Sequence, residues 1–193
     1  MTIRISLLCL PATAGLRAGR FPADEPLDAE QTDGLATLAA SAAFAFAPPD
    51  QVLCSPMRCA RDTVHALGFE ANTETALREV DYGRWAGLSL KEVGVAEPDA
   101  LAAWLSDPSA AAHGGESLRV LLARVAHWAA DYPWAPGHTL VMTHASVIKA
   151  FIVELLKAPE QAYRQLDIAP LTLTTVSVHQ GQWRLASAGV PAY

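Results

Sequence analysis

Short apolar runs alternate along this chain with segments of helical period, and that alternation limits the folds open to it. Ile3–Cys9, Gln51–Cys54 and His138–Met142 are too brief for helices and rich in Leu, Ile and Val, so they read as buried strands. Asp28 caps a first amphipathic helix, with Gln31 in the capping-box position. Its apolar face falls at Leu35, Leu38, Ala39 and Ala42, and Pro48-Pro49 stops it. Ser55-Pro56 reads as the start of a helix, hydroxyl cap first and proline in the first turn. A less regular middle, residues 70–114, carries a short strand bearing Leu77 and helices around Leu90–Val93 and Pro98–Leu105. Gly114-Gly115 precedes a strongly amphipathic helix with Leu118, Leu121, Leu122, Val125 and Trp128 on one face. A helix over Ala145–Leu156 follows the strand His138–Met142. Leu173–Val178 and Gln182–Ala186, joined through Gln180-Gly181, read as an antiparallel pair at the sheet edge. Strands alternating with helices predict an α/β fold: a three-layer α/β/α sandwich around a mostly parallel sheet, with residues 1–193 as a single domain.

Composition narrows the function. With 51% hydrophobic and 18% charged residues, the 193-residue chain has the material for a full core. Its 14 Lys and Arg against 20 Asp and Glu leave a formal charge of −6 and no basic stripe, so neither nucleic acid nor a membrane is an expected partner. The longest apolar run, Leu38 to Ala47, is broken by Ser41 and falls short of the ~20 residues a bilayer helix needs. Met1–Arg4 followed by Ile5–Leu10 and Ala12-Thr-Ala14 has the outline of a short secretory signal. Its apolar stretch is too short, however, and the same residues are needed as a strand. With only three cysteines there is no disulfide framework, and a cytoplasmic location is expected with Met1–Leu10 retained.

The segments Ile5–Thr13, Arg17–Phe21, Ser55–Val64, Leu77–Gly87, Gly114–Leu118 and Val141–Lys149 follow one another in an order and spacing that resembles the histidine phosphatase superfamily, also called phosphoglycerate-mutase-like. That family opens with a strand running into R-H-G-E-T-x-W-N, then R-A-G-R-F and a P-L-T turn. Here Ile5-Ser-Leu-Leu-Cys-Leu-Pro-Ala-Thr13 lies on the first motif, Arg17-Ala-Gly-Arg-Phe21 follows without a gap, and Pro26-Leu-Asp28 enters the helix. The family's S-P-L-x-R-A-x-x-T-A matches Ser55-Pro-Met-Arg-Cys-Ala-Arg-Asp-Thr-Val64. Its L-x-E-x-x-x-G-x-x-E-G matches Leu77-Arg-Glu-Val-Asp-Tyr-Gly-Arg-Trp-Ala-Gly87. G-G-E-S-L is intact as Gly114–Leu118, and V-x-T/S-H-G-x-x-I/V-R matches Val141-Met-Thr-His-Ala-Ser-Val-Ile-Lys149.

The resemblance also shows departures. The family's first-motif histidine takes the phosphoryl group as phosphohistidine, and Leu10 holds that position. Cys9 stands for the preceding arginine, Pro11 for the following glycine, Leu16 for the motif asparagine, and Cys59 for the second-motif arginine. Glu79, the usual proton donor, and His144, the second phosphate-facing histidine, remain as catalytic candidates, and Tyr82 matches a substrate-side aromatic. Arg17, Arg20, Arg58, Arg61, Glu116 and Ser117 are carried as candidate ligand contacts, with Arg58 and Arg61 bracketing Cys59 on one helix. A leucine has no lone pair to attack phosphorus, which closes the covalent route. In other covalent enzymes loss of the nucleophile alone costs on the order of a million-fold.

Two thiols, a carboxylate and an imidazole around one pocket are zinc-type donors. Cysteines at arginine positions are too short, though, to bring both sulfurs within ~2.3 Å of one ion, so no metal or cofactor is expected. The expectation is a catalytically inactive binding or regulatory module whose pocket takes a small phosphate or other small ligand. The alternative is a divergent phosphatase acting on a small phosphate ester, through His144 or a water activated near Glu79.

Overall fold

The computed structural model describes residues 2–40 and 47–193, so the predicted helical position Ala42 lies outside the described residues. The strands are β1 (Ile3–Cys9), β2 (Gln51–Cys54), β3 (Asn72–Thr73), β4 (Gly137–Thr143), β5 (Thr172–His179) and β6 (Gln182–Pro191). They form one sheet in the order β3-β2-β4-β1-β5-β6. β1, β2, β3 and β4 run parallel, while β5 pairs antiparallel with β1 and β6 antiparallel with β5. The β5–β6 turn is made by Gln180 (φ 51°) and Gly181 (φ 74°), the left-handed pair that matches strand twist in a tight hairpin.

The helices are α1 (Ala14–Arg17), α2 (Ala29–Ala40), α3 (Arg58–Ala66), α4 (Leu90–Ala96), α5 (Pro98–Ser106), α6 (Leu118–Asp131) and α7 (Ala145–Leu155). Side chains alternate across a strand, and β1 buries apolar residues on both sides because both sides are covered, although Arg4 and Ser6 share a side with Leu8. Ile5, Leu7 and Cys9 meet Leu121, Val125 and Phe151 of α6 and α7. Leu8 and Leu10 meet Leu35 of α2 and Cys59, Ala60 and Val64 of α3. Each fully buried Leu or Ile contributes about 1.5–3 kcal/mol, so this double-sided strand is a principal source of stability. A separate cluster of Phe21, Trp85 and Val93, with Tyr82, Leu101 and Trp104 against it, holds α4 and α5 beside the sheet. Among the described residues no helix is long and apolar enough to cross a membrane.

The predicted fold and most elements agree with the structure, including the Asp28 cap, whose Oδ1 accepts from Gln31 N at 3.0 Å, although the capping box is not closed, because the Gln31 side chain donates to Ala12 O instead. Two further local expectations are corrected. Leu77 lies not in a strand but in a 3-10 turn, Thr75–Leu77, where its amide donates to Glu74 O at 3.0 Å and its side chain is fully buried. The short strand is β3, just before it. Ser55-Pro56 does not start a helix either: α3 begins at Arg58 with Met57 at the cap position, and the Ser55 hydroxyl closes a turn onto Met57 N while it also meets His144.

Candidate functional site

A pocket of about 360 Å³ opens at the carboxyl ends of β1, β2 and β4, where open α/β sheets place their ligands. Parallel pairing sets its floor. β1 and β4 run side by side to Cys9 and Thr143, so Leu10 and His144 emerge together. Cys9, Leu10, Cys59, Glu79, Tyr82 and His144 all line it, which is the convergence that the motif register predicts.

His144 is the cap residue of α7 but makes no side-chain capping bond. Its ring is instead held at one end by a hydrogen bond and faces a carboxylate at the other. Nε2 lies 2.9 Å from Ser55 Oγ, and Nδ1 lies 3.6 Å from Glu79 Oε2. Burial pushes the His144 pKa down, and the Glu79 charge opposes that only in part. A neutral ring keeping its proton on Nδ1, toward the carboxylate, then accepts from the Ser55 hydroxyl at Nε2. Ser55 Oγ in turn accepts from Met57 N at 3.2 Å.

Glu79 is fixed as firmly. Its Oε1 accepts from Val80 N at 2.8 Å and from the Ser146 hydroxyl in a short contact. The loop that presents it is tied down by α6. Arg124 donates to the carbonyls of Ala76 (2.6 Å) and Arg78 (3.1 Å), and both its Nε and Nη2 bind the Glu116 carboxylate.

The thiols are inert. Burial, with the Glu79 charge second, raises both Cys9 and Cys59 to about 12, so neither is a thiolate nucleophile at neutral pH. No three His, Cys, Asp or Glu side chains among the described residues are grouped so as to hold a metal ion.

The other candidate ligand contacts do not meet at the pocket. Cys59 faces inward with Ala60, Thr63 and Val64, which turns Arg58 and Arg61 outward to solvent. Arg17 pairs with Asp28 and donates to Ala12 O, and Arg20 donates to Gly87 O at 2.8 Å and Glu92 at 3.4 Å. Glu116 is 5% exposed and spent on Arg124 and Arg78, while Ser117 caps α6 by accepting from Val120 N. Missed by residue-level reasoning were Ser55, Ser146, Lys149, Tyr163 and Asp167. Ser146 and Lys149 had a signal: they sit three apart on the helix that His144 opens, so both project the same way.

A sheet of this order, with a glutamate and a histidine facing each other at its carboxyl end, defines a class, and comparison with known proteins agrees. The sequence pattern of the histidine phosphatase superfamily (branch 1) matches residues 21–190. The chain belongs to that superfamily. The match begins after Cys9 and Leu10. A glucosyl-3-phosphoglycerate phosphatase of Mycolicibacterium vanbaalenii is 31% identical over 137 residues, covering 63% of this chain and 60% of the relative. The chain therefore matches about 60% of that relative's length. The native structure of a mycobacterial glucosyl-3-phosphoglycerate phosphatase superposes with a TM-score of 0.79 at 26% identity, covering 98% of this chain and 100% of the other. The complex of that mycobacterial phosphatase with inorganic phosphate gives 0.75 at 27% identity, covering 98% of each.

Proposed function

We propose that this chain binds a small phosphate ester or similar small anion in the pocket above β1 and β4, and does so without forming phosphohistidine. The observation that carries this is Leu10 in the pocket wall, flanked by neutral Cys9 and Cys59. What favours an anion is Lys149, together with the first turns of α3 and α7, which reach the pocket through Cys59 and Ala145-Ser146. Glu79 and Asp167 oppose it. Without a guanidinium clamp the binding is expected to be weak, and the pocket to act as a binding or regulatory site.

A second reading, a divergent phosphatase for a small phosphate ester, is favoured by the relatives, which are named as phosphatases. In that reading a water attacks phosphorus in line with the leaving oxygen. Glu79, held toward the pocket by Val80 N and Ser146, takes the water's proton as the P–O bond to the leaving oxygen breaks, and returns it to the departing alkoxide. Neutral His144 donates from Nδ1 to a phosphoryl oxygen.

The two readings separate in one experiment. The purified protein is incubated with p-nitrophenyl phosphate, turnover is compared with Glu79→Gln and His144→Ala, and acid-quenched protein is searched for a phosphorylated residue by mass spectrometry. Binding alone predicts no phosphoenzyme and a rate shared by all three proteins. Turnover that both substitutions abolish establishes the phosphatase. A phosphorylated histidine overturns the statement about Leu10.

A further inference from the structure

Beside the pocket lies another cavity, of about 330 Å³, and the two share Tyr82, Lys149 and Tyr163. Val80, Leu118 and Leu121 give it an apolar floor, and Tyr82, Trp104 and Tyr163 give it ring walls. The walls are braced. Trp104 meets Phe21 at 5.5 Å and Trp85 at 6.1 Å, both edge-on, and Arg164 Nη2 donates to Trp104 O at 2.8 Å, tying α5 to the turn Glu160–Gln165. Arg119 binds Glu160 from the other side, at 2.9 Å through both nitrogens.

The charged groups around this cavity are mostly committed. Glu116 is neutralised by Arg124 and Arg78, and Asp107 accepts from Ser109. Lys149 is the exception. It stands at the junction with its Nζ 4.3 Å from the Tyr163 ring centre, and it makes no hydrogen bond or ion pair among the described residues. A half-buried ammonium resting on a ring face keeps its outer hydrogens for an incoming acceptor.

We propose that the second cavity is a subsite for the body of the ligand. The protein then selects a phosphate or related anionic head joined to a flat apolar group, the head seated by Lys149 in the first pocket and the flat group between Trp104 and Tyr163 in the second. This rests on the anion-binding reading above and adds to it the class of molecule attached to the anion. Flat rings suit the cavity because its walls offer ring faces and edges, and its floor offers aliphatic carbon.

Calorimetry with phosphonates, which are not hydrolysed, tests this whether or not the protein is an enzyme. The probes are methylphosphonate, 1-naphthylmethylphosphonate and 1-naphthoate. The naphthyl phosphonate is expected to bind about tenfold or more tightly than methylphosphonate, from ring burial. Trp104→Ala and Tyr163→Leu should each reduce that ratio to roughly threefold or less, and Lys149→Met should weaken both phosphonates. Circular dichroism establishes that each variant is folded, and two wall variants are used so that one failing to fold does not end the test. A ratio near one in the parent protein, or a ratio that survives both wall substitutions, overturns the subsite while leaving the anion-binding reading intact. Wall-dependent binding of 1-naphthoate without any methylphosphonate binding overturns the phosphate reading and leaves the subsite. If no probe binds, both fall.

Discussion

His144 sits between a hydroxyl and a carboxylate, 2.9 Å from Ser55 Oγ and 3.6 Å from Glu79, and it is buried in that position. A ring held neutral in the folded state but free to charge in the unfolded chain makes stability depend on pH. The folded pKa lies below the unfolded value, so the unfolded state binds more protons as acid is added. The contribution is therefore complete above about pH 6.5 and is lost as the pH falls through the folded value. His113 is shifted the same way by burial and adds to the effect. Urea unfolding at intervals from about pH 7.5 to 5.5 should show the parent losing stability across that window. His144→Asn should lose less. Equal slopes for the two proteins would show that His144 is not held neutral. The place of Glu79 and His144 in the pocket was legible in the sequence because both lie in the quoted motifs. Ser55 was not, because a serine before a proline has an ordinary use as a helix cap. Only the fold reveals that its hydroxyl faces a histidine 89 positions away.

At the scale of elements, the loop bearing Glu79 depends on an ion cluster that it does not itself contain. Arg124 on α6 reaches the Glu116 carboxylate and two carbonyls of the Glu79 loop at once, so it clamps that loop to the helix. Both ionic side chains are well buried, at 14% and 3% exposed. Arg124→Met leaves Glu116 with only the more distant, part-exposed Arg78 and strips two carbonyls of a donor. The expected cost is about 3–5 kcal/mol by denaturant titration. Replacing Arg124 and Glu116 together by Met and Gln should cost less than Arg124→Met alone; an equal cost would show that the clamp acts through its carbonyl contacts and not through the charge pair. The long elements α6, α7 and β4 were legible because burial writes a period into the sequence. The turn Thr75–Leu77 was misread as strand for the opposite reason: an isolated buried leucine shows that a position is inside, but not which backbone shape brings it there. The G-G-E-S-L motif was read correctly in outline, yet its glycine has a steric cause that only the structure shows. A Cβ on Gly115 would lie 2.0 Å from Asp81 O, where the chain crosses itself.

In the whole molecule, the sheet order places β1 between β4 and β5, pairing Ile3 with Gly137 on one side and Val178 on the other. Each of those pairings spans most of the chain, and such distant contacts slow folding because a long loop must close before any bond forms. During synthesis this has a direct outcome. β1 leaves the ribosome before the other strands of this sheet and, among the described residues, has no strand partner until β4 emerges; before then the described strand pairing is β2 against the two-residue β3. Nascent chains stalled before Gly137 are expected to be cut rapidly by a protease, while the chain stalled with β4 and β5 exposed resists. Protection appearing before β4 is made would show that α2, α3 and β2 fold as a unit of their own. Until that point the backbone N–H and C=O groups of β1 have only solvent, or a chaperone, to face.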